Sequence, residues 1–286
     1  MKILITGAGT LIGNTLTQKL LSTKNNIYAT YYKTYPKNLK NSKNLKIFKM
    51  NLEKPQLKMK EVDIIVHCAS AIPDYQFDKK KMLNINFEGF KKIIKKFPNV
   101  RHVIILSTVS IYGKINDKVI TEKSKIHKQD DYGKSKYLME KFLIKDSKRN
   151  NYNYTILRLP GVVGKNSQHN FLSNFVIKLK NNIKNFLLFN PKMLFNNVIH
   201  TETLTNVIKY IIKNKINGIY LLGSSDPIKL EIIFNMVKKF KQNINLNFEK
   251  NNSGFRINVN KAISKKLPLI STRKTIYKFY KENLIN

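Results

Sequence analysis

The first sixteen residues restrict this chain more than any other stretch. Lys2-Ile3-Leu4-Ile5-Thr6 is an apolar run of strand length, Gly7-Ala8-Gly9-Thr10 a tight turn, and Leu11-Ile12-Gly13-Asn14-Thr15-Leu16 the start of an amphipathic helix. A glycine-rich turn between a strand and a helix lets backbone approach a diphosphate, whose charge is met by unpaired amides and the positive end of the helix dipole. The third glycine falls one place late for a plain Gly-x-Gly-x-x-Gly, so a purely structural strand-to-helix junction also fits. Further apolar strand candidates at 26–32, 45–50, 62–67, 101–107, 153–158 and 217–222 are mostly separated by helical patterns. That alternation predicts an α/β fold of Rossmann type, a doubly wound and mostly parallel sheet.

A second constellation points to proton transfer. Tyr132-Gly133-Lys134-Ser135-Lys136 opens a helical pattern and follows the strand-end sequence Ser107-Thr108-Val109-Ser110-Ile111-Tyr112-Gly113. Tyr132 and Lys136, four apart, share a helix face, and an ammonium beside a phenol favours the phenolate. Tyr132 is therefore the candidate acid or base, Lys136 the residue expected to lower its pKa, and Thr108 a hydroxyl for the same substrate oxygen, with Ser110 in reserve. The spacing alone says little, since Tyr75/Lys79, Tyr137/Lys141 and Tyr277/Lys281 share it. Context singles out Tyr132, because only that pair follows the apolar strand Val103-Ile104-Ile105-Leu106 and clustered hydroxyls. For Thr108 and Ser107 the competing reading is helix or loop capping.

These residues together resemble the extended short-chain dehydrogenase/reductase superfamily, in its NAD-dependent epimerase/dehydratase branch. Thr6-Gly7-Ala8-Gly9-Thr10-Leu11-Ile12-Gly13 is similar to that family's Thr-Gly-x-x-Gly-x-x-Gly, with Thr10 in place of the middle glycine. Val62-Asp63-Ile64-Ile65-Val66-His67-Cys68-Ala69-Ser70 resembles its fourth strand, and Asn86 its asparagine on the following helix. Arg158-Leu159-Pro160-Gly161-Val162-Val163-Gly164 is similar to the segment passing the nicotinamide, and Phe195-Asn196-Asn197-Val198-Ile199-His200-Thr201-Glu202 to a later strand-to-helix junction. The resemblance implies a Rossmann core over 1–164, with 198–225 returning to it, and a substrate-binding lid from 165–197 and 226–286. It implies NADP or NAD bound through Gly7, Gly9, Thr10, Leu11, Ile12, Gly13, Asn51, Leu52, Ala69, Ser70, Asn86, Tyr132, Lys136 and Pro160. It also implies catalysis by Thr108, Tyr132 and Lys136 on a sugar, expected as a nucleotide sugar held by Ser110, Asn170, Asn174 and Arg256, in a homodimer. The dehydratase branch carries Asp-Glu after the catalytic threonine; Val109 and Ser110 stand there, so efficient 4,6-dehydration is not expected.

Strand Ile27-Tyr28-Ala29-Thr30-Tyr31-Tyr32-Lys33 closes without an acid, and Lys33, with Thr30 nearby, would welcome a ribose 2′-phosphate. NADP is thus slightly favoured over NAD, unless Asn51 or Glu53 contacts the adenosine instead. The net charge of +36, from 53 basic against 17 acidic residues, would ordinarily suggest a polyanion partner. Its even spread, alongside abundant asparagine and isoleucine, instead suggests compositional drift, so no specific nucleic acid is expected. Lys79-Lys80-Lys81, Lys91-Lys92 and Lys95-Lys96 fall on a helix expected to turn Met82, Leu83, Phe87, Phe90 and Ile94 inward. A lone Cys68 rules out an internal disulfide, and no apolar run approaches the ~20 residues that cross a bilayer, so a cytoplasmic protein without a metal centre is expected. A ketoreductase of the same fold, and a non-catalytic RNA-binding member of it, remain the alternative functions.

Overall fold

The computed structural model describes residues 1–72, 78–249 and 254–285; of the Tyr-x-x-x-Lys pairs, Tyr75 lies outside them. In chain order the elements begin with β1 (Lys2–Thr6), α1 (Leu11–Leu21), β2 (Asn26–Tyr31), β3 (Leu45–Lys49), β4 (Ile64–His67), α2 (Lys79–Leu83), α3 (Gly89–Lys96) and β5 (His102–Thr108). There follow β6 (Val119–Ile120), α4 (Asp131–Asn150), β7 (Asn153–Leu159), β8 (Gly161–Val163), α5 (Phe171–Lys180), β9 (Asn185–Phe189), β10 (Leu194–Phe195) and β11 (Val198–His200). The chain ends through α6 (Thr201–Asn214), β12 (Gly218–Leu221), β13 (Ile228–Lys229), α7 (Leu230–Asn235), β14 (Asn245–Glu249), β15 (Arg256–Ile257), α8 (Asn260–Ser264) and α9 (Thr272–Leu284).

Two compact units share these elements. The first comprises Met1–Lys114, Lys125–Arg158 and Ile208–Tyr220; the second Ile115–Ser124, Leu159–Val207 and Leu221–Asn286. A seven-stranded sheet of order β12-β7-β5-β4-β1-β2-β3 forms the first unit's centre. The pairings β1–β2, β1–β4, β2–β3 and β4–β5 are parallel, as a doubly wound sheet requires. Strand order reverses beside β1, at the β1–β4 boundary, and such a reversal opens a crevice at the carboxyl ends of the strands. Every residue of β4 and of β5 is buried, which is why both read as unbroken apolar runs. One face of the sheet packs Leu4, Ile65, Val103 and Ile105 against Phe90, Ile93, Ile94 and Met139.

The helix expected across 79–96 is interrupted. Between α2 and α3 the backbone widens to a single π-helical stretch over Asn84–Glu88, with Asn86 fully buried inside it. Met82, Phe90 and Ile94 are buried as expected, while Phe87 is only partly so. Such bulges are found where a side chain is diverted from the helix pattern, and Asn86 is that side chain here.

The second unit has its own core of Leu172, Phe175, Val176, Phe195, Ile233, Phe234, Phe279 and Tyr280. Its strands form two-stranded ribbons: parallel β8–β11, β9–β14 and β6–β15, and antiparallel β10–β13. No helix among the described residues is long and apolar enough to cross a membrane.

Candidate active site

The turn after β1 is built on close backbone approach. Gly7 has φ +80°, and a Cβ at Gly9 would collide with the Thr34 carbonyl, so the loop after β2 lies directly on the glycine turn. Thr10, which replaces the family's middle glycine, folds its side chain back: Oγ1 donates to Gly7 O at 2.8 Å and accepts from the Gly13 amide at 3.2 Å. It is the N-cap of α1, and Asn14 N bonds its carbonyl, so among the described residues the helix amides without a partner are those of Leu11 and Ile12. A glycine cradle with two free amides at the positive end of an eleven-residue helix fits a dinucleotide diphosphate. Lys33 is exposed just past β2, while Thr30 is buried and its carbonyl accepts from Ala8 N. Asn51 turns its Oδ1 to the Glu53 amide, and Leu52 is buried with its carbonyl against Gly89.

Ser70, Asn86 and Tyr132 meet beyond β4. Asn86 Oδ1 accepts from Ala71 N at 2.7 Å and lies 3.1 Å from Ser70 Oγ; its Nδ2 donates to Ala71 O and to Ser135 Oγ. Its amide is spent on the protein, which makes it the brace that fixes the Ala69–Ala71 segment rather than a free ligand donor. Ala69 N is tied to Thr6 Oγ1 at 3.2 Å. Ser135 Oγ in turn donates to the Tyr132 carbonyl at 2.8 Å, so the brace reaches the first turn of α4.

Asp130 caps α4 through the Gly133 amide at 2.6 Å, and Tyr132 occupies the helix's first turn. A Cβ at Gly133 would strike Ser110 O, so α4 starts in backbone contact with the short 3₁₀ turn Val109–Tyr112. Thr108 caps that turn, accepting from Ser110 N at 3.1 Å and donating to Ser110 Oγ at 3.2 Å. The capping and substrate readings therefore fall on one hydroxyl. Lys136, 2% exposed, donates from Nζ to Leu106 O at 3.0 Å, and Nζ lies 5.8 Å from the Tyr132 ring centroid.

The expected depression of the Tyr132 pKa by Lys136 is not what this arrangement produces. Burial pushes the Tyr132 phenol up to about 12, Ser70 opposes this through a hydrogen bond, and Asp130 adds to the rise. The lysine ammonium is engaged by the Leu106 carbonyl and does not rank among the influences on the phenol. Of these influences, the Ser70 hydrogen bond is the one that favours the phenolate. Lys136 is itself pulled down to about 8 by burial, partly offset by Cys68 and Glu140.

In the second unit, Asn170 caps α5, accepting from Ser173 N at 2.9 Å and donating to Val162 O at 3.2 Å; its polar groups are taken. Asn174 is exposed on α5. Arg256 opens β15, half-buried, with its amide bonded to Lys118 O. Pro160 links β7 to β8 and is buried. No cluster of three or more His, Cys, Asp or Glu side chains capable of holding a metal occurs among the described residues.

Sequence reasoning missed the polar groups beneath this site. Glu140 and Arg158 form an ion pair at 2.8 Å with side chains 1% and 5% exposed, and Ser107 Oγ donates to Glu140 at 2.5 Å. Arg158 Nη1 donates to the Tyr112 hydroxyl at 2.9 Å. The signals were present: Glu140 continues the four-residue spacing of Tyr132 and Lys136, and Arg158 is the one charge in the apolar strand β7.

A parallel sheet with its glycine cradle beside the strand-order reversal, and a half-buried tyrosine and a buried lysine on the helix after β5, defines a Rossmann-type α/β fold. The chain belongs to the NAD dependent epimerase/dehydratase family, whose model matches residues 3–223. It is 25% identical over 178 residues to the UDP-glucose 4-epimerase of Lactobacillus helveticus, a match covering 58% of this chain and 53% of that protein, so the chain spans about half the length of that curated relative. Its fold is similar to that of a UDP-glucuronic acid 4-epimerase from Bacillus cereus in complex with NAD, at TM-score 0.84, 18% identity and full coverage of both chains. It is likewise similar to a UDP-N-acetylglucosamine 4-epimerase from Methanobrevibacter ruminantium M1 in complex with UDP-N-acetylmuramic acid, at TM-score 0.82 and 15% identity over 98% of this chain and 97% of that one.

Proposed function

We propose that the protein is an NAD(P)-dependent epimerase acting on a nucleotide sugar, with Tyr132 as its proton-transfer residue. The observation that carries this is the joining of Tyr132, Ser70 and the Lys136–Leu106 bond at the carboxyl ends of β4 and β5, next to the cradle after β1. Family membership, and relatives named as 4-epimerases of UDP-sugars, support the substrate class. When bound, the nicotinamide supplies a reversible hydride acceptor at the sugar carbon. Tyr132 would take the carbinol proton and return it, Ser70 stabilising its phenolate, while Thr108, with Ser110, holds the reacting oxygen. Lys136 would hold the cofactor ribose and keep a positive charge near the developing alkoxide. The amides of Leu11 and Ile12 would receive the diphosphate, with Ala69 and Pro160 flanking the cofactor and Asn51 and Leu52 beside its adenosine. Asn174 and Arg256 would contact the sugar nucleotide, Arg256 because its planar fork binds phosphate oxygens in pairs.

For the cofactor we favour NADP, because β2 closes without a carboxylate to select NAD and the basic Lys33 lies two residues past its end. Relatives solved with NAD make NAD the direct competitor. Incubation with a panel of UDP- and other nucleotide sugars, each with NAD or NADP, and NMR of the product separates the alternatives. The reading expects inversion at one carbon with the cofactor recycled; stoichiometric cofactor consumption would indicate a ketoreductase. Rapid release of a 4-keto-6-deoxy sugar would contradict the reading of Val109 and Ser110, and no turnover with any sugar would sink the function.

A further inference from the structure

We propose that Glu140 is a positioning residue of the active site: its buried carboxylate staples α4 to the end of β5 and supplies the counter-charge for the Lys136 ammonium. The inference rests on the reading of Tyr132 and Lys136 given above.

The geometry is a pair of adjacent staples. Lys136 Nζ bonds the carbonyl of Leu106, and one helical turn on, Glu140 Oε1 receives the hydroxyl of the next strand residue, Ser107. Thr108 follows directly. The helix carrying Tyr132 and the strand end carrying Thr108 are thus held in one register by two consecutive strand residues and two helix residues one turn apart. Arg158 then fixes the carboxylate from the neighbouring strand, giving Nη2 to Oε2 at 2.8 Å and Nε to Oε1 at 3.2 Å. The same guanidinium carries the Tyr112 hydroxyl, at the far end of the 3₁₀ turn that bears Ser110. Every polar atom of the carboxylate has a partner, the condition under which a buried ion pair is tolerated and orients its surroundings.

The charge argument is separate. A fully buried ammonium that must stay protonated needs a counter-charge, because burial alone disfavours it. Against burial, the titratable groups that favour the Lys136 charge are Cys68 and then Glu140; His67 from β4 is fully buried and held neutral, its pKa lowered to about 3 by burial and by Lys136, and Tyr132 on its own helix is protonated up to about 12. Burial pushes the Cys68 thiol up to about 12, so it too is neutral near pH 8, and Glu140 remains as the counter-anion.

The test is a pH titration of Lys136 in the full chain labelled with 13Cε-lysine, with and without NADP, using Lys136→Arg to assign the signal. Glu140→Gln should move the Lys136 midpoint down by about one pH unit or more, and Arg158→Gln, which leaves the Glu140 charge unopposed, should move it up. Either variant decides the matter if the other does not fold. The alkaline limb of kcat/KM should follow: above both midpoints a one-unit drop is a tenfold loss, while the acidic plateau changes only a few-fold because Gln still accepts from Ser107. Tyr152→Phe, which deletes a part-buried hydrogen bond to Asp146 elsewhere on the same helix, should move neither. Midpoints unchanged in both variants, or moved the same way, would overturn the inference. An active Tyr132→Phe would instead sink the reading of the site while leaving the Lys136 titration interpretable.

Discussion

The central sheet and the ribbons of the second unit are held by different chemistry. In β4 and β5 every residue is buried, and neighbouring strands are joined by backbone ladders over apolar side chains. The second unit also has an apolar core, yet its strands are two to five residues long and its loops are bracketed by asparagine amides. Asn196, 1% exposed, donates to Ser224 O and Ile257 O and accepts from Ile257 N. Asn197 reaches Phe255 O, and Asn283 reaches Gly164 O and Phe279 O while accepting from Asn166 N. One region is specified by where apolar residues fall, the other by which side-chain amide meets which backbone group.

The contrast can be broken by paired substitutions. Phe90→Ala, which empties a fully buried site under the sheet, should cost about 3 to 5 kcal/mol in chemical denaturation. Asn196→Leu keeps size and gains hydrophobicity, so burial alone would make it neutral. Three buried backbone groups lose partners, however, and the expected cost is about 3 kcal/mol. A neutral result would remove the distinction drawn here.

Acid sharpens the same comparison from the sheet side. Burial lowers His67 to about 3 and His102 to about 4, against an ordinary value near 6.5. The unfolded chain therefore binds these protons first, so their contribution to stability is complete above about 6.5 and is lost as pH falls towards the folded values. Each histidine should contribute a slope of about 1.4 kcal/mol per pH unit between pH 6 and 4. His102→Gln, which can still meet Thr155, should flatten the measured slope by about that amount.

The smallest expected effect lies on the loop that covers the glycine turn. Lys33→Ala should weaken NADP about tenfold, the worth of one charged hydrogen bond, and leave NAD almost unchanged. Calorimetric titration showing a strong NAD preference in the parent protein, unaltered by the substitution, would assign the pocket to NAD.

The same contrast explains what could be read from the chain. Each of the seven central strands was legible, most plainly Ile64–His67 and His102–Thr108, whose burial on both faces concentrates apolar residues without a break. The ribbons were not legible, since a pair such as Leu194–Phe195 is too short to show any period. Asparagine read as compositional drift turned out, at 196, 197 and 283, to carry directed bonds, because composition cannot distinguish a solvated amide from a bracketing one. Within the site, Tyr132 and Lys136 were visible from spacing and context. The hydrogen bond from Ser70 to the phenol was not, because it depends on how the segment after β4 lies against α4, about sixty residues later. Nor was the rise in the Tyr132 pKa, since the same spacing that suggested an ammonium neighbour is silent on burial and on the Leu106 carbonyl that takes that ammonium.

Tyr132→Phe tests the central claim most directly, because it removes the hydroxyl and leaves the ring. With the nucleotide sugar that the parent protein turns over, the substitution should lower kcat by about 10² to 10⁴ while dinucleotide affinity, measured by calorimetry, stays within a few-fold. A variant that keeps half the parent turnover would contradict the assignment of Tyr132 as the proton-transfer residue.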